Sequence, residues 1–217
     1  MNLESYIDHT LLSPNATTLD IKVICEEAIM KNFFAVCVAP AHVSYAAKIL
    51  NNESPKLCTT IGFPLGSISP EMKYAEARFL IHQGAEELDM VINIGAIKGG
   101  DLNVLKKEIR NVVRAADGNI VKIIIEACLL TNDEKILISN IIQDEGAHFV
   151  KTSTGFSFSG ANIEDIILLR KTLDPHIKIK ASGGIKSLFD VKKYIEHGAN
   201  RIGTSSGISI MEEQKNE

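Results

Sequence analysis

The feature that most constrains this chain is a cadence that occurs three times. Residues 82–93 read HQGAEELDMVIN, 144–155 read DEGAHFVKTSTG and 196–207 read EHGANRIGTSSG. Each is a helix end, a Gly-Ala step and a short apolar run. The glycine suits the left-handed residue that stops a helix, and the alanine lets that helix lie close to the strand that follows. A fourth version, KNFFAVCVAP at 31–40, puts Asn32 in the stopping position. Helix followed tightly by strand, repeated along a chain, is the mark of βα units around a parallel sheet.

Candidate strands lie near 7–10, 33–38, 58–63, 86–93, 120–126, 147–151, 177–181 and 200–204. Helix starts fall between them. Thr17 to Asp20 and Thr131 to Glu134 have capping-box spacing, as does Ser187 to Asp190 with Asp for Glu, and Ser69-Pro70 pairs an N-cap with proline. Eight strands in 217 residues, 45% of them hydrophobic, predict an α/β chain folded as one (β/α)8 TIM barrel. The alternative is a doubly wound open sheet, because strand order is not written in a single sequence. No linker divides the chain, so one domain spans 1–217, with a frayed polar tail at about 211–217.

Composition excludes several classes. A net charge of −4, no tryptophan and 6% aromatics argue against a nucleic-acid partner. No apolar run approaches the ~20 residues of a membrane span, and MNLESYIDHT lacks the basic and apolar regions of a secretory signal. Cys25, Cys37, Cys58 and Cys128 show no CxxC spacing and read as reduced thiols of a cytoplasmic protein. Cys37, near a strand end, reads as a small core filler. The six histidines have no ligand spacing, and His9 alone stands near a candidate site; no metal or other cofactor is expected.

Charge sits where a core wants hydrophobes. Asp8, Asp89, Asn93, Glu126, Lys151 and Lys180 fall at the far ends of candidate strands, with Lys122 at the start of its own. Alternation puts Asp89 and Asn93 on one face of ELDMVIN, and Lys122 and Glu126 on one face of VKIIIE. Both faces of a barrel strand are buried, so these charges must meet inside. A buried ammonium costs several kcal/mol unless it pairs or loses its proton. Two lysines on adjacent strands favour one neutral amine, a good nucleophile toward aldehydes. Lys151 and Lys180 therefore read as a Schiff-base pair, with either one the nucleophile. Lys178, two residues before Lys180, is read as starting its strand at the barrel bottom and snorkelling outward.

A second constellation suits phosphate. ASGGIKS follows the seventh candidate strand and GTSSG the eighth, the corner where such barrels bind phosphate. Gly183 and Gly184 let backbone amides approach an anion, and Ser205-Ser206 stand at a helix start. Thr154 and Gly155 of STG add a hydroxyl and another amide. A small phosphorylated sugar or aldehyde fits this corner.

These motifs, YIDHTLL, FAVCVAP, IGFPLG, ELDMVINIGA, VKIIIEACLL, FVKTSTGF, IKASGGI and RIGTSSG, resemble in order those of the deoxyribose-phosphate aldolase family over residues 5–207. The resemblance implies a metal-independent class I aldolase that cleaves 2-deoxy-D-ribose 5-phosphate into acetaldehyde and D-glyceraldehyde 3-phosphate. It implies that Lys151 forms the imine, that Lys180 is the second lysine favouring the neutral amine, and that Asp89 moves protons through a bound water. Asp8 and Lys122 then belong to the supporting network. Phosphate lies on Gly155, Gly183, Gly184, Ser205 and Ser206, and a homodimer is expected. Some family members end in a tyrosine that assists proton transfer; this chain ends GISIMEEQKNE, with no tyrosine after Tyr194. Two alternatives remain beside this reading: another lysine-dependent aldolase or dehydratase on the same barrel, with Asn93 and Thr60 shaping its pocket, and a sugar-phosphate binding barrel without turnover.

Overall fold

Helices start where the sequence supplies a side-chain oxygen to the free amides of a first turn. In the computed structural model, which describes residues 2–216, Thr17 and Thr131 form full capping boxes with Asp20 and Glu134. Ser69, Asp101, Asn162 and Ser187 each accept a hydrogen bond from the amide three residues on. At the other ends Asn32, Gly84, Gly146 and Gly198 all have positive φ, the left-handed stop that the cadence predicts.

The helices so bounded are α1 (Thr18–Lys31), α2 (Val43–Ile49), α3 (Pro70–His82), α4 (Ile94–Lys98), α5 (Leu102–Ala115), α6 (Asn132–Asp144), α7 (Ile163–Thr172), α8 (Leu188–Glu196) and α9 (Gly207–Lys215). The strands are β1 (Ile7–Leu11), β2 (Ala35–Val38), β3 (Lys56–Ile61), β4 (Glu87–Val91), β5 (Ile120–Ile124), β6 (Phe149–Lys151), β7 (Lys178–Ser182) and β8 (Arg201–Thr204). All pair in parallel in chain order, and β8 returns to β1. The sheet is therefore a closed (β/α)8 barrel and not a doubly wound sheet, which would leave two edges. No described helix is long and apolar enough to cross a membrane.

The tail differs from expectation. Residues 211–215 continue α9, whose Ile210 is fully buried and whose Glu213 accepts a hydrogen bond from Leu188 N; Glu217 lies outside the described residues. One buried residue per turn is enough to dock a helix that is otherwise polar.

Parallel register decides which side chains share a face. Ile7, Val36, Leu57, Leu88, Val121, Val150, Ile179 and Ile202 are buried in the cluster between strands and helices. The alternate positions point inward and carry Asp8, Cys37, Cys58, Glu87, Asp89, Lys122, Lys151, Lys180 and Arg201, all buried. Branched aliphatics usually fill the interior of such a barrel. Here the aliphatic shell outside the strands, at ~1.5–3 kcal/mol per buried side chain, offsets the cost of a charged interior.

Candidate active site

Asp89 is the hub of the lumen. Its Oδ1 accepts from Lys122 Nζ at 2.9 Å and from Cys58 Sγ at 3.2 Å, and its Oδ2 accepts from both Lys151 Nζ and Lys180 Nζ at 2.8 Å. Lys151 and Lys180 are register partners on β6 and β7, so sheet geometry itself brings the two amines together. Lys180 Nζ also lies 2.5 Å from Asp8 Oδ2, an ion pair off the line of a hydrogen bond. Lys122 Nζ pairs with Glu87 Oε2 at 2.6 Å. Below them Arg201 spans two acids. Its Nε donates to Asp8 Oδ1 at 2.7 Å, its Nη2 contacts the same oxygen, and its Nη1 and Nη2 reach Glu87 at 3.2 and 3.0 Å. The Phe34 ring covers the guanidinium at 3.6 Å, a cation–π contact.

Burial alone would neutralise these acids, but the cations beside them prevail. Desolvation pushes the Asp89 carboxyl up, and Lys122, Lys151 and Lys180 outweigh it and hold it well below the usual carboxylate range. Against the same desolvation Arg201, Lys180 and Lys122 bring Asp8 down to about 2. Lys180 is desolvated too, yet Asp8 and Asp89 hold it well above the ordinary lysine value, and Asp89 and Glu87 do the same for Lys122. Lys180 and Lys122 are thus fixed cations.

Above this layer opens a cavity of about 430 Å³. Lys151 lies in its wall, and Lys180 and Lys122 do not. The wall opposite is made by Thr154, Gly155, Gly183, Gly184, Lys186 and Ser205, on the loops after β6, β7 and β8. Gly183 has φ +90, and a Cβ on the neighbouring Gly160 would stand 2.1 Å from Gly183 O, so the two loops meet backbone to backbone. Glycine at both positions is what permits so close an approach.

Residues 3–213 match the family described as DeoC/LacD family aldolase. The chain is 51% identical to the deoxyribose-phosphate aldolase of Streptococcus gordonii over 97% of this chain and 96% of that one. It is 50% identical, over the same shares, to that of Brevibacillus brevis. The chain belongs to the DeoC/LacD aldolase family. The solved structure of deoxyribose phosphate aldolase from Aeropyrum pernix, described as a unique tetramer, superimposes with a TM-score of 0.91 at 34% identity, over 98% of this chain and 91% of that one. As a DeoC/LacD aldolase the protein is a lyase that makes and breaks carbon–carbon bonds.

Two donor sets in this aldolase lumen, Cys37–Cys58–Asp89 and Asp8–Cys58–Glu87, have the spacing of ion ligands. Their carboxylates already meet ammonium groups, and Lys122 Nζ stands 3.5 Å from Cys58 Sγ. A divalent ion there would face lysine cations directly, so the donor chemistry suits fixed ammoniums.

The structure brings Asp8, Asp89, Lys122, Lys151 and Lys180 into one network and separates Asn93 and Glu126 from it. Lys122 is central in β5, not at its start. β4 stops at Val91, and Asn93 caps α4. β5 stops at Ile124, and Glu126, at φ +47, turns its carboxylate to Thr154, accepting from the Thr154 amide and hydroxyl. The Thr154 hydroxyl in turn accepts from Phe156 N, so it shapes its own loop. Ser206 stands at the N-cap position of α9 without a side-chain capping bond, and its amide donates to Thr204 Oγ1; it is not among the residues of the cavity wall. Lys178 starts β7 and is exposed, as read. Cys37 faces the lumen beside Cys58. Sequence reasoning missed Glu87, Arg201 and Lys186.

Gly203 shows how closely the aldolase layer is built. A Cβ there would lie 2.9 Å from Ser182 Cβ and 3.1 Å from Lys180 Cε. Gly203→Ala is expected to push the end of the Lys180 side chain aside by a fraction of an ångström and to lower kcat up to roughly tenfold, part of the ~10²-fold that a full 1 Å misplacement can cost. Steady-state assay beside circular dichroism reads this. An unchanged kcat in folded protein would show that the Lys180 position is slack.

Proposed function

We propose that this aldolase reversibly cleaves 2-deoxy-D-ribose 5-phosphate to acetaldehyde and D-glyceraldehyde 3-phosphate through a Schiff base on Lys151. The carrying observation is that Lys151 alone among the three lysines bonded to Asp89 lines the cavity, with Asp89 Oδ2 2.8 Å from its Nζ. The names of the relatives at 51% and 50% identity support the substrate.

In this reading Lys151 adds to the C1 aldehyde and loss of water gives an iminium, an electron sink. Asp89, through a water, takes the C3 hydroxyl proton as the C2–C3 bond breaks and D-glyceraldehyde 3-phosphate leaves. The remaining enamine takes a proton by the same route, and hydrolysis releases acetaldehyde. Thr60 is the register partner of Asp89 and its buried hydroxyl has no partner among the described residues; it offers that water a second anchor. Lys180 stays charged and favours a neutral amine on its neighbour, while Asp8 and Lys122 hold Lys180 and Asp89 in place. Gly155, Gly183, Gly184 and Ser205 take the phosphate, with the Lys186 ammonium beside them. Ser206 contributes through the start of α9. No step needs a metal or an organic cofactor.

A homodimer and a cytoplasmic setting complete the proposal. Exposed Met72 and Phe79 on α3 offer apolar contact surface, and unpaired cysteines suit a reducing compartment.

The test is reductive trapping with acetaldehyde and cyanoborohydride, followed by peptide mass mapping. An ethyl adduct on Lys151 is expected. An adduct on Lys180 keeps the reaction class and reverses the roles. No adduct on either, in folded protein, removes the aldolase mechanism.

A further inference from the structure

We infer that Arg201, paired with Glu87, keeps the Lys151 amine free of its proton by leaving the barrel lumen one positive charge in excess. This rests on the Schiff-base reading above and adds the device that prepares its nucleophile. Neither residue lines the cavity; both are positioning residues.

The charges that face one another come from six of the eight strands. β1 contributes Asp8, β4 Glu87 and Asp89, β5 Lys122, β6 Lys151, β7 Lys180 and β8 Arg201, all buried. β2 and β3 contribute the thiols of Cys37 and Cys58; Lys56 on β3 and His148 before β6 also lie near Glu87, but Lys56 is half exposed and paired with Glu86, and both stand outside the closed lumen. Four basic groups therefore share three carboxylates in a space with little water. A buried, uncompensated ammonium is costly, and the usual relief is loss of its proton. Arg201 cannot be the group that yields, since guanidinium does not deprotonate in proteins. Lys180 touches two carboxylates, Asp8 and Asp89, and Lys122 touches Glu87 and Asp89. Among the described residues Lys151 pairs with Asp89 alone, and it shares that oxygen with Lys180. It is the least compensated amine and the one that opens to the cavity.

Arg201 creates the excess without touching Lys151. It spends its charge on Asp8 and Glu87, the acids that Lys180 and Lys122 also use. Without it each carboxylate would keep one lysine: Asp8 with Lys180, Glu87 with Lys122 and Asp89 with Lys151. All three amines would then hold their protons. Glu87 has the opposite sign, since removing its charge raises the excess and releases protons more readily.

The experiment compares Arg201→Met, Glu87→Gln, the double variant and Arg201→Lys with the wild type. It reads the pH dependence of kcat/KM and of cyanoborohydride trapping on Lys151. Arg201→Met is expected to move the acid limb upward by about one pH unit, a loss of about tenfold at neutral pH that alkaline buffer restores. Glu87→Gln moves the limb downward. The double variant, which again has one charge in excess, returns toward the wild-type profile, and Arg201→Lys retains it. Should Arg201→Met not fold, Glu87→Gln still carries a signed outcome. Limbs that stay fixed, or single variants that move the same way, overturn the inference while wild-type trapping leaves the aldolase reading intact. An ultraviolet thiolate signal from Cys37 in the wild type at neutral pH also overturns it, because that thiol would then balance the charge. Failure of the wild type to trap on Lys151 removes the reading beneath.

Discussion

Lys151→Met is expected to lower kcat by at least about 10⁴-fold and to leave the barrel as stable as the wild type, or more so. The first half follows from covalent chemistry: methionine cannot form the iminium, and the amine of Lys180 is enclosed below the cavity and held charged by Asp8 and Asp89. The second half follows from the charges. Taking away Lys151 leaves Lys122, Lys180 and Arg201 against Asp8, Glu87 and Asp89, and Asp89 Oδ2 keeps its bond from Lys180. Methionine also fills most of the lysine stem's volume without a charge to desolvate. Most buried substitutions destabilise, so an unchanged or raised melting temperature beside dead activity would be a specific signature. Thermal melts and a steady-state assay on the same preparation measure both. Residual turnover within about tenfold of wild type would place the nucleophile elsewhere. A large loss of stability would mean that Lys151 is needed as a cation.

The fold was legible because helix ends are local chemistry. Asn32, Gly84, Gly146 and Gly198 announce left-handed stops, and Thr17, Ser69 and Thr131 announce starts, each within a few residues of the amides they serve. The cluster of lumen lysines around Asp89 was legible because a lysine inside an apolar strand has few physical excuses. What escaped depends on closure. Arg201 opens β8 and reads as an ordinary flanking charge until β8 pairs with β1 and sets it beside Asp8. Glu87 had a signal, since it shares a strand face with Asp89, yet ELDMVIN suggested a longer strand and drew attention to Asn93 instead. Strands run past their true ends in such a reading because polar capping residues keep the alternation going. The β1 side of the cavity, Thr10 to Pro14, begins within YIDHTLL but carries no charged side chain to mark it, and Lys186 is one lysine after a turn. The order of the strands, and hence which charges face, came only from the structure.

Asp89→Asn is expected to cost both activity and stability, the reverse of the pattern at Lys151. The carboxamide keeps the shape but not the charge. It presents one acceptor where the carboxylate offered two, and its NH₂ group must then face Lys122 on one side or the Lys151–Lys180 pair on the other. Four basic groups would share two carboxylates. Removing one partner of a buried ion network costs ~3–5 kcal/mol, and on the proposed mechanism losing the Asp89 carboxylate as proton carrier removes ~10²–10⁴-fold in kcat. The pH dependence has a definite sign. In the wild type the Asp89 carboxyl is held well below its ordinary value, so its contribution is complete above the unfolded-state value and is lost only as pH falls through the depressed one. In the variant the folded state must shed an ammonium proton that the unfolded chain retains. Its stability therefore rises more steeply with pH on the alkaline side than that of the wild type, whose folded state sheds only the Lys151 proton, and the gap between the two narrows there. Urea unfolding at neutral and alkaline pH measures that gap. Equal stability at neutral pH would mean that the lumen amines do not depend on Asp89 for compensation, and that most of them are already neutral in the native barrel.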